Sequence, residues 1–84
     1  MAPAKSGLDV TVVTPDGVLF EGRADSVTFP GERGMFEVLI YHKPLISRLV
    51  RGEICIDRRP IPIERGIAKV RLNMVTAIVE TTRG

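Results

Sequence analysis

His42 and Cys55 are the only histidine and the only cysteine in the 84 residues, and both are types recruited for acid–base or nucleophilic work. His42 stands between Tyr41 and Lys43, beside Pro44. A general base needs a carboxylate or a nucleophile within hydrogen-bond reach, and no spacing in this chain supplies one. An ordinary loop or interface histidine is therefore expected. Cys55 lies between Ile54 and Ile56, so in a strand it faces away from both. No basic loop or helix N-terminus adjoins it to stabilise a thiolate, and it reads as an inert thiol. A structural zinc site takes about four Cys or His ligands, which the chain lacks. The expectation is no catalytic residue, no cofactor and no metal.

Two further patterns invite a binding role. Gly31-Glu32-Arg33-Gly34 has the glycines of a phosphate-gripping loop. It lacks the Gly-Lys-Ser/Thr ending, and no helical pattern follows to lend its dipole, so it reads as an exposed turn and a contact surface. Arg48, Arg51, Arg58 and Arg59 come nearest to a basic patch. Binding single-stranded nucleic acid also needs aromatic platforms for stacking. Phe20, Phe29 and Phe36 each sit among aliphatic neighbours and there is no Trp, so a solvated or protein-contact role is preferred. A stand-alone small β-barrel that binds nucleic acid is the rival reading.

The elements that position these residues follow from size and punctuation. A chain of 84 residues is one small domain, burying only about 60–65% of its unfolded surface, so a partner that completes the core is a live idea. One cysteine forbids an internal disulfide. Twelve basic against ten acidic residues give +2, too balanced for non-specific nucleic-acid binding. The longest uncharged stretch near the end, Leu72 to Val79, is far too short for a membrane span of about 18 residues. Residues 1–7 contain no apolar core of a signal peptide and are expected to form a short tail.

From Leu8 the chain reads as all β. Leu8, Val10 and Val12 alternate with Asp9, Thr11 and Val13, and Thr14-Pro15-Asp16-Gly17 turns the chain into Val18–Gly22. Ser26–Phe29 precedes the Pro30–Gly34 loop. Met35–Tyr41, the longest apolar run, is expected to be the best-buried strand. Lys43–Leu49 fits one helical turn or an irregular strand. Glu53–Asp57 and Ile61–Glu64 flank an expected turn at Arg58-Arg59-Pro60, and Pro60 and Pro62 place the second strand at an edge. Ile67–Arg71 and Val75–Val79 flank a turn at Asn73. Turns every 8–12 residues with no long helical pattern suggest a sandwich or barrel.

The ordered set Val13–Gly22, Val27–Gly34, Phe36–Leu39, His42–Ser47, Ile61–Val70 and Asn73–Thr76 resembles the N-terminal domain of the epsilon subunit of rotary ATP synthases. No single motif is specific, but the order and spacing are, and they run from Leu8 to Glu80. The resemblance implies an all-β, small flattened antiparallel β-sandwich over 8–84, without the C-terminal helical hairpin of most bacterial members. It implies a non-catalytic central-stalk subunit that couples the proton-driven c-ring to the gamma subunit and the catalytic head. Partners would be gamma, the c-ring and other synthase subunits, with no nucleic acid. The location would be peripheral, on the cytoplasmic side of a bacterial inner membrane or the stromal side of a thylakoid. Carried over by position, Gly31, Glu32, Arg33, Gly34, Met35 and Phe36 would meet the c-ring, and Thr14, His42, Leu45 and Ser47 would meet gamma. Many members read Pro-Gly-His-Ala where this chain has Ile40-Tyr41-His42-Lys43, and the two bulky residues remove the tight-turn chemistry of Pro-Gly there. Glu37 stands where Gly is common, which puts a side chain near the c-ring loop.

Overall fold

The computed structural model describes residues 7–82, so the tail expected over 1–7 lies outside the described residues apart from Gly7, as does the end of the chain at 83–84. Among the described residues nine strands run in order: β1 Leu8–Thr14, β2 Gly17–Ala24, β3 Val27–Gly31, β4 Gly34–Val38, β5 Leu45–Leu49, β6 Gly52–Ile56, β7 Arg59–Ile63, β8 Arg65–Arg71 and β9 Met74–Glu80. They hydrogen-bond in the order β2-β1-β9-β8-β5-β3-β6-β7, with β4 on the other edge of β3. All ladders are antiparallel except β1 with β9, which no local signal announced.

This continuous sheet curls into two layers. β3 pairs with β5 only at Gly31–Leu49 and with β6 at Val27–Ile56 and Thr28–Cys55. Between these contacts the Val50 N–H donates to the Pro30 carbonyl at 2.9 Å. The segment around Val50 and Arg51 is thus a corner where one edge passes from the β2-β1-β9-β8-β5 layer to the β4-β3-β6-β7 layer. The two extremes of the sheet meet across the gap: Arg59 of β7 lies 5.6 Å from the centroid of the Phe20 ring of β2. Asp57 ties the layers at another point, its carboxylate accepting from the Asp25 N–H (3.0 and 3.1 Å) and the Ser26 N–H (3.0 Å). The result is the sandwich, 20 Å along its shortest axis.

Period-two alternation fills the interior. Leu8, Val10 and Val12, then Val75, Ala77 and Val79, then Ala68 and Val70 face inward, as do Val27, Phe29, Ile54, Ile56 and Ile63. No polar or charged residue among the described ones is buried. The Met35–Tyr41 expectation fails here. Only Val38 of that run is buried, whereas Met35, Leu39, Ile40 and Tyr41 are exposed. β4 stops at Val38, so Leu39, Ile40 and Tyr41 lie beyond the strand; within it Phe36 and Val38 face the core while Met35 and Glu37 face outward. Lys43–Leu49 yields a strand rather than a helical turn. The β6–β7 turn falls at Asp57-Arg58, both at positive φ (47° and 75°), while Arg59 and Pro60 already belong to β7. β7 is an edge strand, as its prolines required.

Burial at Ile54 and half-burial at the neighbouring Cys55 give a direct check of the inward pattern. Ile54→Ala is expected to cost about 2–5 kcal/mol of unfolding free energy in urea titrations. Cys55→Ala should cost less than about 1 kcal/mol.

Candidate functional site

The Gly31–Phe36 segment is a tight hairpin. Gly31 pairs with Gly34, leaving Glu32 and Arg33 as the exposed two-residue tip. Neither tip residue has positive φ, but Gly34 does, at 118°, where a Cβ would strain the backbone. Gly31 is blocked differently: a Cβ there would come within 2.9 Å of the Phe36 ring. That ring also stacks at a tilt on Phe29, centroids 5.5 Å apart, so the base of the hairpin is bolted to the core. Phe36 therefore turns inward, half-buried, while Met35 is 59% exposed and Glu37 lies on the same outward face two residues on. Ile46, Ser47 and Arg48 of β5 close the other side of a hollow of about 350 Å³ against the hairpin.

The four residues carried over as gamma contacts do not form one patch. Thr14 belongs to the β1–β2 turn, where its Oγ accepts from the Asp16 N–H at 3.0 Å and donates to the Gly17 carbonyl at 3.3 Å. Three strand spacings separate β1 from β5, roughly 14 Å. A groove of about 410 Å³ lined by Pro15, Arg48, Ile67 and Ile78 lies between them. Ser47, at mid-β5, lines the hollow with the hairpin, and its hydroxyl donates to the Arg48 carbonyl at 3.2 Å. Leu45 and His42 lie at the far end of β5, near the β8–β9 turn. His42 is half-buried, and its Nδ1 is 2.7 Å from the Lys43 carbonyl.

The segment after β4 holds what the sequence concealed. The His42 N–H donates to the Leu39 carbonyl at 3.2 Å, closing a turn with Ile40 and Tyr41 at its centre. Tyr41 has φ 63°, the conformation glycine would take without strain. The tight turn is thus retained without Pro-Gly. Its hold is the Asn73 side chain, whose Oδ1 accepts from the Tyr41 N–H at 2.6 Å. Asn73 was legible as a turn residue, but its reach to a loop 32 positions away was not.

The basic patch does not assemble. Arg51 approaches Glu64 at 3.7 Å, Arg59 covers Phe20, Arg58 sits in the β6–β7 turn and Arg48 lies on β5 in the other layer. The four are thus spread over two layers of the sandwich. Among the described residues there is no group of three or more His, Cys, Asp or Glu placed to hold a metal ion.

Residues 7–83 match the model of the ATP synthase delta/epsilon chain β-sandwich domain. The chain belongs to that family. It is 44% identical over 78 residues to an ATP synthase epsilon chain of a Nitratiruptor species, covering 87% of this chain and 60% of the relative. It is 39% identical over 80 residues to the epsilon chain of Sulfurimonas denitrificans, covering 89% and 62%. The chain thus spans about 60% of the length of the curated relatives it matches. In fold it is similar to a chain in the central stalk/c-ring structure of Tetrahymena thermophila mitochondrial ATP synthase, with TM-score 0.76, 15% identity, and coverage of 93% of this chain and 66% of that one. A chain in the OSCP/F1/c-ring structure of the Euglena gracilis enzyme gives TM-score 0.80 at 16% identity, covering 93% and 53%.

The hairpin geometry makes a checkable demand. Gly34→Ala should destabilise the domain by about 1–2 kcal/mol, because φ at 118° admits no Cβ comfortably. Glu32→Ala and Arg33→Ala, at the exposed tip, should each stay within about 0.5 kcal/mol in the same denaturant series.

Proposed function

We propose that this chain is a non-catalytic central-stalk subunit of a rotary ATP synthase, which carries rotation of the proton-driven c-ring to gamma and the catalytic head. The observation that carries the reading is the hairpin. An exposed Met35, beside Arg33 and Glu32, projects from a base locked by the Phe36–Gly31 contact and the Phe36–Phe29 stack. A docking element that transmits torque must not yield at its base, and this one is held by the core itself.

In this reading Gly31, Glu32, Arg33, Gly34, Met35 and Phe36 meet the polar loops of the c-ring, with Phe36 acting from within as the brace. Gamma reaches from β5 across β8 and β9 to the β1–β2 turn, touching Thr14, His42, Leu45 and Ser47 at separate points rather than as one cluster. The adjacency of the hairpin to Ile46, Ser47 and Arg48 across one hollow supports a reading in which the two contacts adjoin there. The other synthase subunits are partners through gamma. The chain is then peripheral to the membrane through the c-ring, on the cytoplasmic side of a bacterial inner membrane or the stromal side of a thylakoid. The family and the central-stalk assemblies that hold its structural neighbours support the reading.

The test replaces Arg33 and Met35 together by Glu in the assembled synthase. Proton pumping per ATP hydrolysed should fall, while unfolding of the free chain shifts by less than about 1 kcal/mol because both sites are exposed. Lower stability with unchanged coupling would make the hairpin a structural element instead.

A further inference from the structure

Two exposed apolar side chains stand on left-handed backbone at one end of the sandwich. Tyr41, φ 63°, is 83% exposed, and Leu72, φ 51°, is 77% exposed. Neither type belongs there by preference: a Cβ-bearing residue in this region costs about 1–2 kcal/mol, and branched or aromatic types do not offset it by bonding their own backbone. Burial does not offset it either, since the ring and the isobutyl group both face solvent. They are nevertheless held firmly. The Asn73 carbonyl oxygen Oδ1 grips the Tyr41 N–H at 2.6 Å, so the β8–β9 turn and the 39–44 loop are one unit. Tyr41, Leu72 and Asn73 line a shared hollow of about 350 Å³ with His42 and Pro44.

Position and charge say what covers this unit. The Glu32–Arg33 tip precedes β4 and the 39–44 loop follows it, so the two lie at opposite ends of that strand, roughly 17 Å apart. β5 repeats the arrangement, with Leu49 paired to Gly31 at one end and Leu45 to Val70 at the other. A subunit seated on the c-ring by its hairpin therefore presents Tyr41 and Leu72 away from the ring. The neighbouring hollows hold Lys69 and Arg71, Lys43 is exposed in the loop, and none of the residues lining those hollows is a carboxylate.

We propose that Tyr41 and Leu72 are the apolar anchors of the gamma interface, inserting into an apolar cleft on gamma whose rim carries carboxylates opposite Lys43, Lys69 and Arg71. This rests on the central-stalk reading above and names the residues through which that contact is made. Anchors of this kind are few, large and surrounded by weaker contacts, and the clamp by Asn73 presets their geometry before docking.

The strain supplies the test. Tyr41→Gly and Leu72→Asn put residues suited to left-handed backbone at both positions and delete the side chains that would anchor. Titrations of the full chain with purified gamma of the same synthase, and with its isolated c-ring, are read beside melting curves. Each variant should melt at or above the parent temperature, bind gamma at least about tenfold more weakly, and bind the c-ring unchanged. Tyr41→Phe, which keeps the ring, should bind gamma within about threefold of the parent. Parent-like gamma affinity in both variants, lowered melting temperature, or weakening confined to the c-ring would overturn the anchor assignment. Failure of the parent chain to bind either partner would instead overturn the central-stalk reading.

Discussion

Gly31 has strand neighbours on both sides and an aromatic ring over its Cα. It pairs with Gly34 across the hairpin and with Leu49 across the layer junction, and the Phe36 ring leaves no space for a Cβ. The pairing with Leu49 is the only ladder contact between β3 and β5, so the link between the two layers on that edge passes through this residue. The Val50–Pro30 hydrogen bond beside it turns the edge toward β6. A domain of this size has few contacts to spare. Its two layers stay in register because a glycine lets a ring, a turn and a neighbouring strand converge on one backbone position. The same convergence fixes the proposed c-ring surface, whose tip is two residues away.

Much of this was legible because it is written in local rules. Thr14-Pro15-Asp16-Gly17 announces a turn by residue type, and the Thr14 hydroxyl completes it. Pro60 and Pro62 cannot donate to a ladder on both sides, and β7 is an edge. Ile54, Cys55 and Ile56 alternate as a strand must. The hairpin glycines at 31 and 34 were visible, although their separate reasons, a ring contact and a positive φ, were not.

The misreadings share one cause. Apolar composition reports a tendency to leave water and does not say which neighbour will provide cover. Met35–Tyr41 looked like the deepest strand, yet most of its apolar residues point outward from an edge. Pro60 drew the expected turn toward itself, whereas Asp57 and Arg58 take the left-handed positions and Asp57 accepts from two backbone donors of the β2–β3 connection. The parallel pairing of β1 with β9 joins the first strand to the last, a contact beyond any local window. Likewise, nothing in Ile40-Tyr41 signals a turn. The signal lies in Asn73, and only the fold brings them together.

Among the described residues, five non-glycine ones occupy the left-handed region: Tyr41, Asp57, Arg58, Leu72 and Asn73. Asp57 and Asn73 use their side chains to hold another segment, so the strain at those positions is offset within the fold. Arg58, at an exposed charged tip, belongs to a two-residue hairpin whose geometry demands positive φ. Leu72 occupies the first position of the equivalent β8–β9 hairpin and Tyr41 the centre of the 39–42 turn, so turn geometry sets both angles, yet an exposed apolar side chain gains nothing at either from the free domain. A chain with a small core and no disulfide has a narrow margin of stability to set against unfavourable backbone. An exposed apolar side chain where glycine or asparagine would fit with less strain is the feature that the proposed contact with gamma would account for. The domain then has a directional logic. One end is braced by Phe36 from within, the other is clamped by Asn73 from the side, and β4 and β5 run between them as the short, hydrogen-bonded path along which a load would pass.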